Sequence, residues 1–145
     1  MTKKIFLADD DRDDWLIIED AMKKLDADDS IEFFLNGEDL IRKLDQSFAA
    51  GSLPCLVVLD LNMPKLNGTE TLAIIKGKAQ YRDLPVIIYS TSINFLEKQK
   101  CMELGAQHYV TKPISAAESK SIAELFNDTC KKAQEEIKQS IIAQS

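Results

Sequence analysis

Two rhythms of apolar residues alternate along the chain. Unbroken apolar runs occur at Ile5-Phe6-Leu7-Ala8, Leu56-Val57-Val58-Leu59 and Val86-Ile87-Ile88-Tyr89. Runs of this length read as strands buried on both faces, as in a parallel sheet. Residues 31–35 and 107–111 read as two further strands. Between the strands, apolar residues recur at helical spacing. They are Trp15, Ile18, Met22 and Leu25; then Leu40, Ile41, Leu44 and Phe48; then Leu72, Ile75 and Ala79. Each set makes one helical face. A fourth helix is predicted over 94–104, with Gly105 as its C-terminal cap. The last starts at Ser115 and carries a stripe of Ile122, Leu125, Phe126, Cys130, Ala133, Ile137 and Ile141. Asp11 suits an N-cap, and Asp13 and Asp14 read as first-turn, solvated acids. Strand then helix, five times over, predicts an α/β fold: a five-stranded parallel sheet with helices on both faces and right-handed crossovers.

The residues just past the strands turn the question from fold to chemistry. The first run ends in Asp9-Asp10, the third in Asp60, the fourth in Ser90-Thr91 and the fifth in Lys112-Pro113. In a parallel sheet these ends lie on one edge, where open α/β sheets place their ligand sites. Clustered carboxylates repel unless a cation neutralises them. Mg²⁺ suits a few carboxylates together with waters and a phosphate. A lysine adds positive charge and a hydroxyl adds a donor. Together they make a site for a phosphoryl group, whose charge is spread over its oxygens. Asp60 is the best nucleophile, because carboxylates form acyl phosphates.

Composition narrows the class. The chain has 145 residues, which fits one domain with a sizeable core. No apolar run is long enough to cross a membrane, and Met1-Thr2-Lys3-Lys4 leads into no secretory-signal pattern, so a cytoplasmic location is expected. A formal net charge of -6 disfavours nucleic acid as a partner. Cys55, Cys101 and Cys130 lack metal-ligand spacing and read as free, buried packing residues. His108, the single histidine, has no ligand spacing around it and reads as a surface or strand-packing residue.

Asp9-Asp10, Asp60, Ser90 and Lys112-Pro113, in this order on successive strand ends, resemble the response-regulator receiver domain of two-component signalling. The resemblance implies the CheY-like, flavodoxin-like (βα)5 fold with strand order 2-1-3-4-5. It covers roughly residues 3–127. It implies that Asp60 accepts phosphate from a sensor histidine kinase or phosphotransfer protein. Asp10, Asp60 and the backbone carbonyl of Asn62 would hold Mg²⁺, with Asp9 acting through a coordinated water. Lys112 would pair with Asp60 and then with the phosphoryl group. Ser90 would be the switch hydroxyl and Tyr109 the aromatic switch, and the Lys112–Pro113 bond would be cis. Thr91 is the rival to Ser90, since a one-residue shift along a strand reverses the side-chain direction. Tyr109 is otherwise a half-buried aromatic. The Leu-Asp-Leu-Asn-Met-Pro-Lys stretch and the Ser-Thr-Ser segment with Asn94 look like the stand-alone phytochrome-associated response regulators.

The expected organisation is a receiver domain over 1–127 and, over 128–145, either an extension of the last helix or a frayed tail. If ordered, its apolar stripe suits a second copy or another protein. The expected function is a response regulator that takes phosphate on Asp60 with Mg²⁺ and switches a protein-interaction face. It is a signalling protein, not an enzyme, and its output partner is a protein. Two alternatives compete. A phosphatase with an aspartyl-phosphate intermediate would need a second acid two residues after Asp60, where Asn62 stands. A degenerate receiver-fold scaffold would not retain Asp9, Asp10, Asp60 and Lys112.

Overall fold

A computed structural model describes residues 2–27 and 30–144. The elements are β1 (Lys4–Ala8), α1 (Arg12–Lys24), β2 (Ser30–Phe34), α2 (Gly37–Ala49), β3 (Leu56–Leu59), α3 (Gly68–Gly77), β4 (Val86–Ser90), α4 (Phe95–Leu104), β5 (His108–Thr111) and α5 (Ala116–Gln144). All strand pairs are parallel, in the order β2-β1-β3-β4-β5. The parallel sheet is the one expected from the alternation, and its order is the flavodoxin-like one that the family resemblance implies. The third helix ends sooner than its apolar spacing predicts. Gly77 closes α3, and Ala79–Tyr81 forms a separate 3₁₀ turn, in keeping with the low helix propensity of glycine.

The apolar runs explain why the sheet is central. β3 and β4 are buried along their whole length, and β1 from Ile5 onward. Alternate side chains feed two cores, one on each face. Phe6, Val57, Leu59, Val86 and Ile88 pack with Leu40, Leu44, Leu72 and Ile75 of α2 and α3. Ile5, Leu7, Leu56, Val58, Ile87 and Tyr89 pack with Ile18, Met22, Ile122 and Phe126 of α1 and α5. Phe126 meets the Tyr89 ring edge-on at 5.8 Å. The predicted stripe on α5 is buried or half-buried through Ala133, whereas Ile137 and Ile141 are exposed.

Two expectations fail at this level. Cys55 and Cys130 are not free thiols; they are joined as a disulfide, with Cα atoms 4.9 Å apart. They are 75 residues apart in sequence, so their closeness exists only once α5 lies against the start of β3. Cys101 is free and buried. The Lys112–Pro113 bond is trans, since none of the described residues has a cis peptide. Trans is the favoured isomer of an X–Pro bond by about 0.5–1 kcal/mol, and Lys112 reaches its acidic partners from it.

Candidate functional site

Strand register assembles the site. Ala8 pairs with Leu59, Leu59 with Ile88, and Ser90 with Thr111. Asp9, Asp60 and Lys112 each come directly after the last residue of their strand, so they leave the sheet at one level. Backbone bonds hold those exits. Asp60 N donates to Ala8 O at 3.0 Å, Asp9 N to Phe34 O at 2.9 Å, and Lys112 N to Ser90 O at 3.0 Å. Carboxylate oxygens of Asp9, Asp10 and Asp60 lie within 4.8 Å of one another. Asp9 and Asp60 are buried and Asp10 is exposed, so the cluster has a floor and an open side.

Lys112 inserts its ammonium into this cluster. Nζ lies 2.7 Å from Asp9 Oδ2, 2.7 Å from Asp14 Oδ2 and 3.3 Å from Asp60 Oδ2. The contacts to Asp14 and Asp60 are hydrogen bonds. The contact to Asp9 is an ion pair outside hydrogen-bonding geometry, and among the described residues Asp9 Oδ2 has no donor. The other Asp9 oxygen accepts from Asp11 N at 3.0 Å. Burial pushes the Asp9 carboxyl up to about 6, against the opposing pull of Lys112 and the Asp11 amide. Burial draws Lys112 down, but its contacts with Asp14 and Asp9 and the charge of Asp60 outweigh this and hold it above its ordinary value. The ammonium also stands 5.7 Å from the centre of the Tyr89 ring.

Asp14 departs from its expected place. The sequence reads it as solvated helix-start surface, yet it makes one of the shortest contacts to Lys112. Its partner is 98 positions away, beyond any local pattern. Asp11 does cap α1, accepting from Asp13 N at 2.9 Å.

Ser90 is fully buried at the end of β4 and its Oγ accepts from Ser92 N at 3.2 Å, while Thr91 is exposed. Tyr109 is half-buried on β5, and its hydroxyl donates to Ser92 O at 2.8 Å. The serine hydroxyl and the tyrosine therefore grip the same turn after β4. Asn62 is exposed in the loop after Asp60. His108 begins β5, opposite Ile87 and half-buried.

Two further residues support the site without an obvious sequence signal. A Cβ on Gly68 would run into the backbone carbonyl of Asp60, so only glycine lets α3 begin this close beneath the acid. Trp15 donates from Nε1 to Asp9 O at 2.8 Å and stacks on Phe33 at 4.9 Å. It thus ties the first turns of α1 to the loop that carries Asp9.

The acid cluster fits a hard divalent cation. Its donors are all carboxylate oxygens, as such ions require, and one of them, Asp9 Oδ2, is buried without a donor. Asp9, Asp10 and Asp60 are the residues that would hold it.

Comparison with known proteins decides the family. Residues 5–124 match the response regulator receiver domain. The chain belongs to the response-regulator receiver family. This receiver is 30% identical to Protein PilG of Pseudomonas aeruginosa over 115 residues, 79% of the chain and 80% of that protein. It is 29% identical to Response regulator Rcp1 of Synechocystis over 126 residues, 86% of the chain and 82% of Rcp1. Among solved structures, the phosphorylated cyanobacterial phytochrome response regulator RcpA is 32% identical, with a TM-score of 0.76 over 85% of this receiver and 89% of that chain. The Mn²⁺-bound form of Rcp1 has a TM-score of 0.79 at 27% identity, covering 88% and 96%. The finer resemblance to phytochrome response regulators, read from short motifs, thus extends over most of the fold. No helix among the described residues is long and apolar enough to cross a membrane.

Proposed function

We propose that this receiver is a phosphoacceptor working as a stand-alone response regulator. In this reading an Asp60 carboxylate oxygen attacks the phosphorus of a phosphohistidine on a sensor kinase or phosphotransfer protein. The O–P bond forms, the P–N bond breaks, and the imidazole leaves with the electron pair. The observation that carries the reading is the Asp60 carboxylate in a buried strand-end niche, hydrogen-bonded to Lys112 and flanked by Asp9 and Asp10. A divalent ion, when bound by Asp9, Asp10, Asp60 and the Asn62 carbonyl, supplies charge neutralisation for the incoming phosphoryl oxygens. Lys112 supplies a fixed positive charge on the same oxygens, in a niche where charge acts more strongly than in water.

The switch grows out of the same geometry. Ser90 and Tyr109 both engage the turn at Ser92. If the Ser90 hydroxyl turns to a phosphoryl oxygen, it gives up Ser92 N, and Tyr109 loses the fixed position of its acceptor. The face formed by α4, β5 and α5 then changes its affinity for a protein partner, a shift between two existing states. A groove of about 650 Å³ runs between α1 and α5, with Leu16 and Ile17 exposed. We assign it to the phosphodonor. The likeness to RcpA and Rcp1 over 89% and 96% of those chains supports the stand-alone reading.

The test is incubation with Mg²⁺ and acetyl phosphate, with the modified residue located by mass spectrometry. Acyl-phosphate labelling at Asp60 that is lost in Asp60→Asn supports the proposal. Labelling elsewhere, or none, overturns it. Sustained turnover of phosphate esters would instead mark a phosphatase. Ser90→Ala should keep the labelling and weaken the conformational response, read as the gain in affinity for a protein partner on phosphorylation. An unchanged response would move the switch to Thr91 or to a different residue.

A further inference from the structure

Lys112 has three N–H donors, and three carboxylates, Asp9, Asp14 and Asp60, already stand within 3.3 Å of its Nζ. Two donors go to Asp14 and Asp60, and the bond to Asp14 is the shorter, 2.7 Å against 3.3 Å. Asp9 is left with an ion pair but no hydrogen bond. Asp14 is thus no bystander to the resting lysine. It lies in the first turn of α1, which a positive dipole end favours for an acid. Its side chain is 25% exposed, against 8% for both Lys112 and Asp60. It therefore sits at the rim of the cluster, on the α1 side of the ammonium.

A phosphoryl group on Asp60 brings anionic oxygens that need the same donors. With Asp9, Asp14 and Asp60 already around the three donors, a phosphoryl oxygen is a fourth acceptor, and one of the present contacts has to give way. We propose that Asp14 is a positioning residue of this site, which holds the Lys112 ammonium in the resting protein and competes with the phosphoryl oxygens for it. The proposal rests on the phosphoacceptor reading of Asp60. Asp14 would then set how readily the receiver is phosphorylated and how long the phosphoryl group stays. Removing its charge frees a donor for the phosphoryl oxygens and takes away a carboxylate that repels them.

The experiment compares wild type, Asp14→Asn, Asp14→Ser and Asp14→Glu. Two quantities are measured: the dissociation constant for beryllofluoride in saturating Mg²⁺, and the half-life of acetyl-phosphate-derived label on Asp60. Both neutral variants should bind beryllofluoride about fivefold more tightly and hold the phosphoryl group longer by a similar factor, the size of one partly exposed ion pair. Asp14→Glu should return towards wild type. Neutralising Glu19, an acid on the same helix paired with Lys23 at 3.1 Å, should change neither quantity. A purely structural role for Asp14 predicts weaker binding and a lower melting temperature in EDTA, with no gain in either measurement. That result, or unchanged affinity and half-life in both neutral variants while wild type still labels at Asp60, overturns the assignment. If wild type itself takes no label on Asp60, the phosphoacceptor reading fails, and this inference fails with it.

Discussion

β3 has two ends that could hardly differ more. Before its first residue stands Cys55, sealed in the core and joined to Cys130 of α5. After its last residue stands Asp60, buried among other acids and a shared ammonium. The amino end is covalently closed, apolar and complete. The carboxyl end lies beside an Asp9 oxygen without a hydrogen-bond donor and an ammonium shared among three carboxylates. Such an arrangement is costly for a folded protein. It is tolerable because the other end of the same short strand, and the two cores flanking it, hold the sheet rigid. One end carries stability, and the other holds groups whose interactions remain to be completed by a ligand.

That contrast can be broken from either end. The largest effect is expected from Lys112→Met, which leaves buried carboxylates without their cation. Urea denaturation at neutral pH without metal should register a loss of about 3–5 kcal/mol. Millimolar Mg²⁺ should recover much of it, because the ion answers the same charges. At the amino end, reducing the Cys55–Cys130 bond should cost about 2–4 kcal/mol through the freedom regained by the unfolded chain. The readout is the denaturation midpoint with and without dithiothreitol, and Cys130→Ser should be insensitive to the reductant. Next in size, Gly68→Ala should cost about 1–3 kcal/mol by pushing α3 away from the Asp60 carbonyl. Its diagnostic is a loss of labelling at Asp60 larger than the modest fall in melting temperature would imply. The smallest signal comes from pH. Asp9 is raised in the folded protein to about 6 from 3.8. Between those values the folded state binds more protons than the unfolded one, so stability falls as pH rises through this window. Without metal the protein should be more stable at pH 5 than at pH 7, by about 1 kcal/mol for this group. Saturating Mg²⁺, which favours the ionised form, should flatten or invert the slope.

The sheet and the acids at its edge were legible because they depend on local pattern. An apolar run such as Val57–Leu59 has to be buried, and parallel strands place Asp9, Asp60 and Lys112 at one edge wherever they lie in sequence. Ser90 and Thr91 separated once strand direction was known: one is buried and the other exposed. What escaped was pairing across long separations. The first turn of α1 offers Asp13 and Asp14 as equivalent acids, and only the fold aims Asp14 at Lys112. Cys55 and Cys130 lack any spacing signal for the same reason. Gly68 reads as the end of a Pro/Gly-rich loop, and its need for a missing side chain emerges only where α3 meets Asp60. The trans bond before Pro113 lay outside the residues' own message, since the cis expectation came from the family.

Trp15 gives the molecule an optical handle. It is the chain's single tryptophan, and its indole N–H is fastened to the carbonyl of Asp9, with Arg12 at 5.6 Å on its ring and Phe33 stacked at 4.9 Å. Any cation or phosphoryl mimic that draws on the Asp9 carboxylate pulls on the same residue that anchors the fluorophore. Emission intensity can therefore serve as a label-free titration signal for the acid cluster, with no background from a second indole to subtract.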